Sequence, residues 1–201
     1  STTAGRTSAK ARGTHQSAAK GAALNTTRRI IFALEAAVDF FGRLAAWACV
    51  ALTLLVSANV FIRYFFSYGT IWLQELEWHL LSPIATIGMS YALLKGDQVR
   101  VDILFDHMTP RQKTIIEIIT GILLIAFSII LIKLSWPFVM QAYRVGEGSP
   151  NPGGLPYRFL LKAFIPFGFA LLGIQGLSHT LKSIILLQDQ NQTNGDAHVA
   201  Q

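Results

Sequence analysis

The pattern of apolar and polar residues divides the chain into four long hydrophobic stretches joined by polar loops. The stretches lie at about 44–62, 71–94, 115–136 and 159–187. An α-helix rises about 1.5 Å per residue, so stretches of this length can cross a hydrocarbon core roughly 30 Å thick. The pattern therefore predicts an all-α integral membrane protein with four transmembrane helices, in a domain covering residues 28–187.

Two local signals support the helix boundaries. Thr109 followed by Pro110 is typical of an N-cap before a proline at the first helical position, and it predicts the start of the third helix. The segment 146–156 contains Ser-Pro-Asn-Pro-Gly-Gly, which is typical of turns, so it predicts the loop before the fourth helix. In that helix, Ala170, Gly173 and Gly176 could allow close helix contacts, or they could be ordinary membrane-helix small residues.

Residues 28–43 precede the first stretch and have an amphipathic pattern. Glu35, Asp39 and Arg43 follow one another at four-residue intervals, which stacks them on one helical face. Two interpretations are open. The segment is either a helix that lies in the membrane interface or leads into the first span, or a solvated extension of that helix with a weak Asp39–Arg43 pair. An apolar stripe runs through Ile31, Leu34, Val38 and Phe41.

The ends of the chain and the charge distribution predict its topology. Residues 1–27 have almost no large apolar side chain and predict a disordered basic tail, and residues 188–201 predict a polar tail. We expect no cleaved signal peptide, because the first apolar stretch comes late and is long enough to span. Most Lys and Arg residues lie in the N-terminal segment and in the loop after the second stretch. This bias predicts that both termini are cytoplasmic.

Composition agrees with a membrane location. The 201 residues are 52% hydrophobic and 14% charged, against roughly 25% charged residues in ordinary soluble domains. The net charge of +6 is explained by topology, so we expect no nucleic-acid partner. Cys49 is the one cysteine, which rules out an internal disulfide, and its apolar surroundings predict a small buried residue.

Histidines are the first candidates for chemistry, because two of them could hold a haem between membrane helices. The predicted topology places His79 about 10 Å below the outer end of its helix and His179 about 30 Å down. They could not bind one iron. The sequence has no HExxH, Walker, GxSxG or paired-cysteine pattern. We therefore expect neither an enzyme nor a bound cofactor or metal.

Two clusters of charged residues lie next to the second stretch. Arg63 ends the first stretch and Glu75 and Glu77 begin the second, so we predict that Arg63 neutralises one of them; the alternative is that all three face outer water. After the second stretch, valine and isoleucine alternate with polar residues. One face of that segment could pack while Arg100 and Asp102 reach outward, or it could be a plain solvated loop.

Five features occur in register along residues 30–187. They are Arg63-Tyr64, Trp72 with Glu75, Gly88 in the middle of the second stretch, Gln98-Val-Arg100-Val-Asp102, and Ile165-Pro166-Phe167-Gly168-Phe169 followed by Gln175. In this order and spacing they resemble the small membrane subunit of TRAP transporters (tripartite ATP-independent periplasmic transporters, DctQ type). Two departures are Gln98, where the family has histidine, and Glu77, one place beyond the usual acidic neighbour of Glu75.

The resemblance implies a non-catalytic, multi-pass subunit of the bacterial inner membrane. It would scaffold a large membrane subunit that imports an organic acid, coupled to a sodium gradient. A periplasmic binding protein would dock on the complex and deliver the substrate. The resemblance implies no cofactor and no substrate or sodium site here. The candidates for partner contact or structure are Arg63, Trp72, Glu75, Arg100, Asp102, Pro166 and Gly168.

Two other functions remain open. An autonomous small transporter or channel would need a polar helix face through the midplane, and Ser57, Asn59, Thr86 and Ser90 are sparse for that purpose. A haem-binding anchor of an electron-transfer complex is disfavoured by the depths of the two histidines. The nearly apolar span centres favour a protein that braces a partner.

Overall fold

The computed structural model describes the backbone of residues 3–66, 69, 71–96 and 108–199, and the side chains of these residues between 25 and 190. All regular secondary structure in this part of the chain is helical, which confirms the all-α class. The helices are α1 (Thr3–Phe66), α2 (Ile71–Lys95), α3 (Pro110–Val145) and α4 (Arg158–Val199).

Three of the four helices contain a segment long and apolar enough to cross a membrane. These segments are Asn25–Phe66, Pro110–Val145 and Arg158–Gln190. With its 25 residues, α2 is also long enough, but polar residues along it, such as Glu75, Glu77 and His79, make it less apolar than these three segments. The spanning role of α2 therefore stays a prediction.

The first and the last helix extend further along the chain than the sequence pattern predicts. Helix α1 begins at Thr3 and thus includes most of the predicted disordered tail, and α4 continues through the predicted polar tail to Val199. The division into a tail and a membrane domain remains a prediction.

Helix α4 is the centre of the assembly, because it packs against each of the other three helices. Helices α3 and α4 form one antiparallel hairpin, and α1 and α2 form another. The main apolar core lies where α1, α2 and α4 meet, and consists of Val38, Ala45, Ile87 and Leu171. Many large apolar side chains outside this core are exposed in the single chain, as expected of a surface that contacts lipid or another protein.

The segment 28–43 is continuous with the first span. Its apolar stripe packs against the neighbouring helices: Val38 is fully buried, Ile31 is almost so, and the ring of Phe41 lies 5.1 Å from that of Phe167 in α4. The segment is thus an extension of the first helix with the Asp39–Arg43 pair at 2.7 Å, but its apolar stripe is packed and not solvated. The stripe is packed because Val38 and Phe41 contact residues of α4. The position of the segment in the membrane interface stays a prediction.

Glycines allow the helices to cross closely. A Cβ atom on Gly168 of α4 would lie 2.3 Å from Cβ of Thr86 in α2, and one on Gly121 of α3 would lie 2.1 Å from Oγ1 of Thr180 in α4. At Gly173 and Gly176 the nearest atoms would be at 3.2 and 3.4 Å, so the predicted close contacts on α4 are confirmed at these two positions.

Other sequence predictions have mixed outcomes. Thr109 caps α3 in a full capping box with Gln112, and Pro110 is the first helical residue, as predicted. Cys49 is exposed, so the prediction that it is buried was wrong. The reason is that this part of α1 has few neighbours within the chain, since Trp47, Val50 and Leu54 are exposed as well.

Candidate functional site

The carboxylate of Glu75, in the first turns of α2, is bound by the loop between α3 and α4. It accepts hydrogen bonds from the Ser149 hydroxyl, from Nδ2 of Asn151 at 3.3 Å and from the backbone N–H of Leu155 at 2.7 Å. Glu75 is only 8% exposed. We call these four residues the outer latch, after the side of the membrane that the predicted topology gives to this end. It ties the loop to α2 across more than seventy residues of sequence.

The loop reaches Glu75 because its turns use backbone conformations that suit glycine. Gly146 ends α3 in the left-handed region with φ 62°, and Gly153 has φ 81°. Gly154 lies so close to the latch that an added Cβ would be 2.7 Å from Oε2 of Glu75. Tyr157 also has a positive φ, of 67°, which is unusual for a residue with a bulky side chain. The segment 146–157 is thus a tightly specified turn.

The predicted ion pair of Arg63 with Glu75 or Glu77 is wrong. Glu75 belongs to the outer latch, and Glu77 accepts a hydrogen bond of 2.8 Å from Nδ2 of the buried Asn59 in α1. The Arg63 side chain is exposed, and no ion pair joins it to either glutamate. The sequence argument chose Arg63 because it is close to Glu75 along the chain. In the structure, neutral donors of the loop between α3 and α4 bind Glu75 instead.

A second set of polar contacts lies at the opposite end of the helices and joins α1 to α2 and α4. Glu35 of α1 pairs with Lys182 at 2.5 Å and accepts a hydrogen bond of 2.9 Å from Ser178, both in α4. Asp39 of α1 pairs with Lys95 at the end of α2 at 2.8 Å. We call Glu35–Lys182 and Asp39–Lys95 the inner ion pairs, again after the predicted topology.

The Asp39–Lys95 pair connects the two ends of one helical hairpin. The hydrogen bond to the Asp39 carboxylate raises the pKa of the Lys95 ammonium group above its ordinary value. Arg43 contacts the same carboxylate from within α1, at 2.7 Å. Asp39 therefore lies between two cations at the surface, and the amphipathic face predicted for residues 28–43 is a contact face.

Pro166 and Gly168 mark the crossing of α2 and α4. Gly168 leaves room for Thr86, whose hydroxyl group donates to the carbonyl oxygen of Ser82 at 2.9 Å and to that of Phe164 at 3.3 Å. Pro166 has no N–H to donate within α4. Both residues thus lie where α2 and α4 cross, between the outer latch and the inner ion pairs. Trp72, the other aromatic candidate, is 43% exposed at the start of α2.

The remaining candidates fall in two groups. Arg100 and Asp102, with Gln98, lie outside the described residues. Gln175 is 3% exposed on α4, and its amide oxygen has no hydrogen-bond partner among the described residues. Three serines are fully buried as well, so the helix interfaces are less apolar than the sequence pattern suggested. They are Ser90, Ser128 and Ser178.

The two histidines lie at different ends of the helices. His79 contacts the carbonyl oxygen of Glu75 in the outer latch at 2.6 Å, whereas His179 follows Ser178, which binds Glu35 at the inner end. Within the described residues, no group of three His, Cys, Asp or Glu side chains is arranged to hold a metal ion. The predicted separation of His79 and His179 therefore agrees with the geometry.

The central part of the chain matches a protein family. Residues 52–185 match the model of the family described as "Tripartite ATP-independent periplasmic transporters, DctQ component". This range contains the outer latch, the α2–α4 crossing and most of α4. The match thus covers α2, α3 and most of α4, but only the last part of α1 from residue 52 onwards.

Three curated proteins are similar to this chain. A C4-dicarboxylate TRAP transporter small permease protein of Vibrio cholerae is 28% identical over 61% of this chain and 61% of its own length. A putative TRAP transporter small permease protein of Haemophilus influenzae is 27% identical over 53% of this chain and 66% of its own length. An ectoine TRAP transporter small permease protein of Halomonas elongata is 25% identical over 63% of this chain and 65% of its own length. The chain thus spans less than two thirds of the length of each relative.

Proposed function

Because this chain belongs to the DctQ component family of tripartite ATP-independent periplasmic transporters, we propose that it is the small, non-catalytic subunit that braces the large permease of such a transporter. It holds the large subunit in place in the membrane while that subunit moves substrate. It supplies no substrate or sodium site of its own.

The arrangement of polar groups is the observation that carries this proposal. The buried hydroxyl groups of Ser90 and Thr180 donate to carbonyl oxygens of their own helices, and Glu75 is occupied by the outer latch. A transport pathway needs polar groups that face a cavity or broken helices near the midplane. Here Ser90, Thr180 and Glu75 are used for internal contacts, whereas the exposed surface of the helices is largely apolar.

The proposed placement in the membrane has four spans, with both termini in the cytoplasm. The 25 residues of α2 correspond to roughly 37 Å of helix, which is enough to cross the bilayer if the latch end lies at the interface. The outer latch would then face the periplasm, and the inner ion pairs would lie near the cytoplasmic surface. The distribution of Lys and Arg supports this direction.

The proposed partners are the large membrane subunit and a periplasmic binding protein that delivers an organic acid. Uptake would be coupled to a sodium gradient in the bacterial inner membrane. The names of two relatives mention different solutes, a C4-dicarboxylate and ectoine. We therefore assign substrate choice to the other two components.

Reconstitution tests the bracing role. The chain is co-expressed with the large permease of the same transporter, purified, and placed in liposomes with the binding protein and an inward sodium gradient. We expect a stable complex, flux only when all three proteins are present, and no flux from this chain alone. Sodium-dependent flux by this chain alone would contradict the proposal and favour an autonomous transporter.

Cysteine labelling tests the proposed orientation. In a Cys49→Ser background, Gly148→Cys places a thiol in the outer loop and Arg111→Cys places one at the start of α3; both positions are exposed. We expect a membrane-impermeant maleimide added to spheroplasts to label the first variant and not the second. The reverse pattern would overturn the topology and leave the subunit assignment in place.

A further inference from the structure

A groove with apolar walls runs between α2 and α3, over the outer half of α4. Its volume is about 510 Å³. Trp78, Leu81 and Phe138 on its sides are 70%, 52% and 48% exposed, so it opens to the outside of the protein. Its floor is formed by Leu161 and Ile165 of α4. At this depth in the proposed placement, the groove faces the acyl chains of the outer leaflet.

Two cations, Lys162 and Arg158, lie at the outer mouth of the groove, and only the first is in an ion pair. Lys162 is paired with Glu147 at 2.5 Å, and its ammonium group lies 4.0 Å from the ring centre of Phe138. Arg158 is half-buried, and no carboxylate in the described part of the chain lies within ion-pair distance of its guanidinium group. Glu75 is near enough to interact with it electrostatically, but that carboxylate is already occupied by the outer latch.

We propose that this groove binds one phospholipid, with its phosphate group on Arg158 and one acyl chain along the apolar walls. A guanidinium group offers two parallel N–H donors that match phosphate oxygens, and Arg158 has these donors available. The charge lies at the mouth and the apolar surface below it, in the same order as in a phospholipid. The exposed Trp78 beside the mouth suits the interface between headgroups and acyl chains.

The proposal rests on the membrane placement described above and does not depend on transport. A lipid in this groove would fill the space that separates α2 from α3 and would link the two hairpins near the outer latch. Its test therefore measures lipid binding, whereas the bracing role is tested by flux. Failure of one test leaves the other intact.

Native mass spectrometry of the delipidated full-length chain in detergent, titrated with phosphatidylglycerol, measures the affinity of the first lipid bound. We expect Arg158→Gln to weaken that binding about tenfold, the usual effect of losing hydrogen bonds to a charged group. Arg144→Gln is the matched control. Arg144 lies in the last turn of α3, at the same end of the helices as Arg158, and does not line the groove. Equal affinities of the two variants would overturn the proposal.

Two further arms separate the headgroup from the acyl chain. Diacylglycerol has the chains but no phosphate, so it should bind the wild type as weakly as phosphatidylglycerol binds Arg158→Gln. Ala85 lines the groove, and Ala85→Phe should fill it and reduce lipid binding, whereas Ala126→Phe on the exposed face of α3 should not. Lipid binding that is insensitive to Ala85→Phe would show that the groove is not the site.

A photo-crosslinking residue at Leu81 distinguishes a lipid from a protein helix as the occupant. In native membranes that contain the large permease, we expect the crosslinked product to gain the mass of a phospholipid. A product with the mass of a second protein would overturn the proposal, because the groove would then be a subunit interface.

Discussion

The two ends of the helices hold their carboxylates by different means. At the outer end, the almost fully buried Glu75 is bound by neutral donors of a loop. At the inner end, Glu35 and Asp39 face the cations Lys182 and Lys95, whose side chains are 53% and 44% exposed. Both arrangements join elements that are distant in sequence. The first depends on the exact shape of a turn, and the second on charge.

Because of this difference, the two ends should tolerate substitutions and salt to different extents. Exposed ion pairs are screened by salt and contribute little to stability, so the inner end should accept changes that keep the charges complementary. Hydrogen bonds from fixed neutral donors to a buried carboxylate are screened far less, and their loss leaves the donors unsatisfied. The stability of the outer latch should therefore be insensitive to salt and sensitive to loss of the Glu75 carboxylate.

The largest effect is expected where α4 joins the two ends. Gly168→Val would place atoms against Thr86, including its backbone, and should destabilise the protein by about 3 kcal/mol through overpacking. Thermal unfolding in detergent measures this. Gly88→Ala is the control, since nothing lies within 4 Å of that position, and it should stabilise the helix by up to about 1 kcal/mol. Equal destabilisation by both variants would contradict the assigned crossing.

The next effect is expected at the outer latch. Glu75→Ala removes both oxygens of the carboxylate, so Ser149, Asn151 and Leu155 lose their common acceptor. Hydrogen exchange across 149–155 should rise severalfold, to the same extent at low and high salt. Ser149→Ala should give a smaller rise, because the other two donors remain. Unchanged exchange of the Leu155 amide in Glu75→Ala would contradict the latch.

A smaller effect is expected at the inner ion pairs. Glu35→Lys or Lys182→Glu alone should cost at most about 1 kcal/mol, because the pair is partly exposed. The double exchange should recover most of the loss, and high salt should reduce the difference between the variants. Chemical denaturation of the three variants at two salt concentrations provides the test. A double variant no more stable than the worse single variant would count against a direct pair.

The smallest effect is expected at Arg63. Its side chain is exposed and pairs with neither Glu75 nor Glu77, so Arg63→Gln should change stability by less than about 0.5 kcal/mol. Exchanging the charges of Arg63 and Glu75 should not restore a Glu75 variant. Restoration, measured by the same unfolding assay, would support the ion pair that sequence alone suggested.

Much of the fold could be predicted from local patterns. The apolar stretches predicted the helices, and Thr109-Pro110 together with the turn at 146–156 predicted where α3 begins and ends. Gly168 was also identified, through the family resemblance. The outer latch was missed, although Ser149 and Asn151 lie in a turn with obvious donors. Pairing by nearness along the chain favoured Arg63, since a sequence does not display which hairpin packs beside which.

The sequence by itself determined the class of this protein, because helix length and hydrophobicity are properties of consecutive residues. It also determined the turn chemistry, since glycine and proline act through their own backbone. Only the tertiary structure decided which carboxylate meets which donor, and that the segment 28–43 packs on α4. These contacts depend on how two hairpins rotate and cross, and that is decided by the summed packing of small residues such as Gly168 and Gly121.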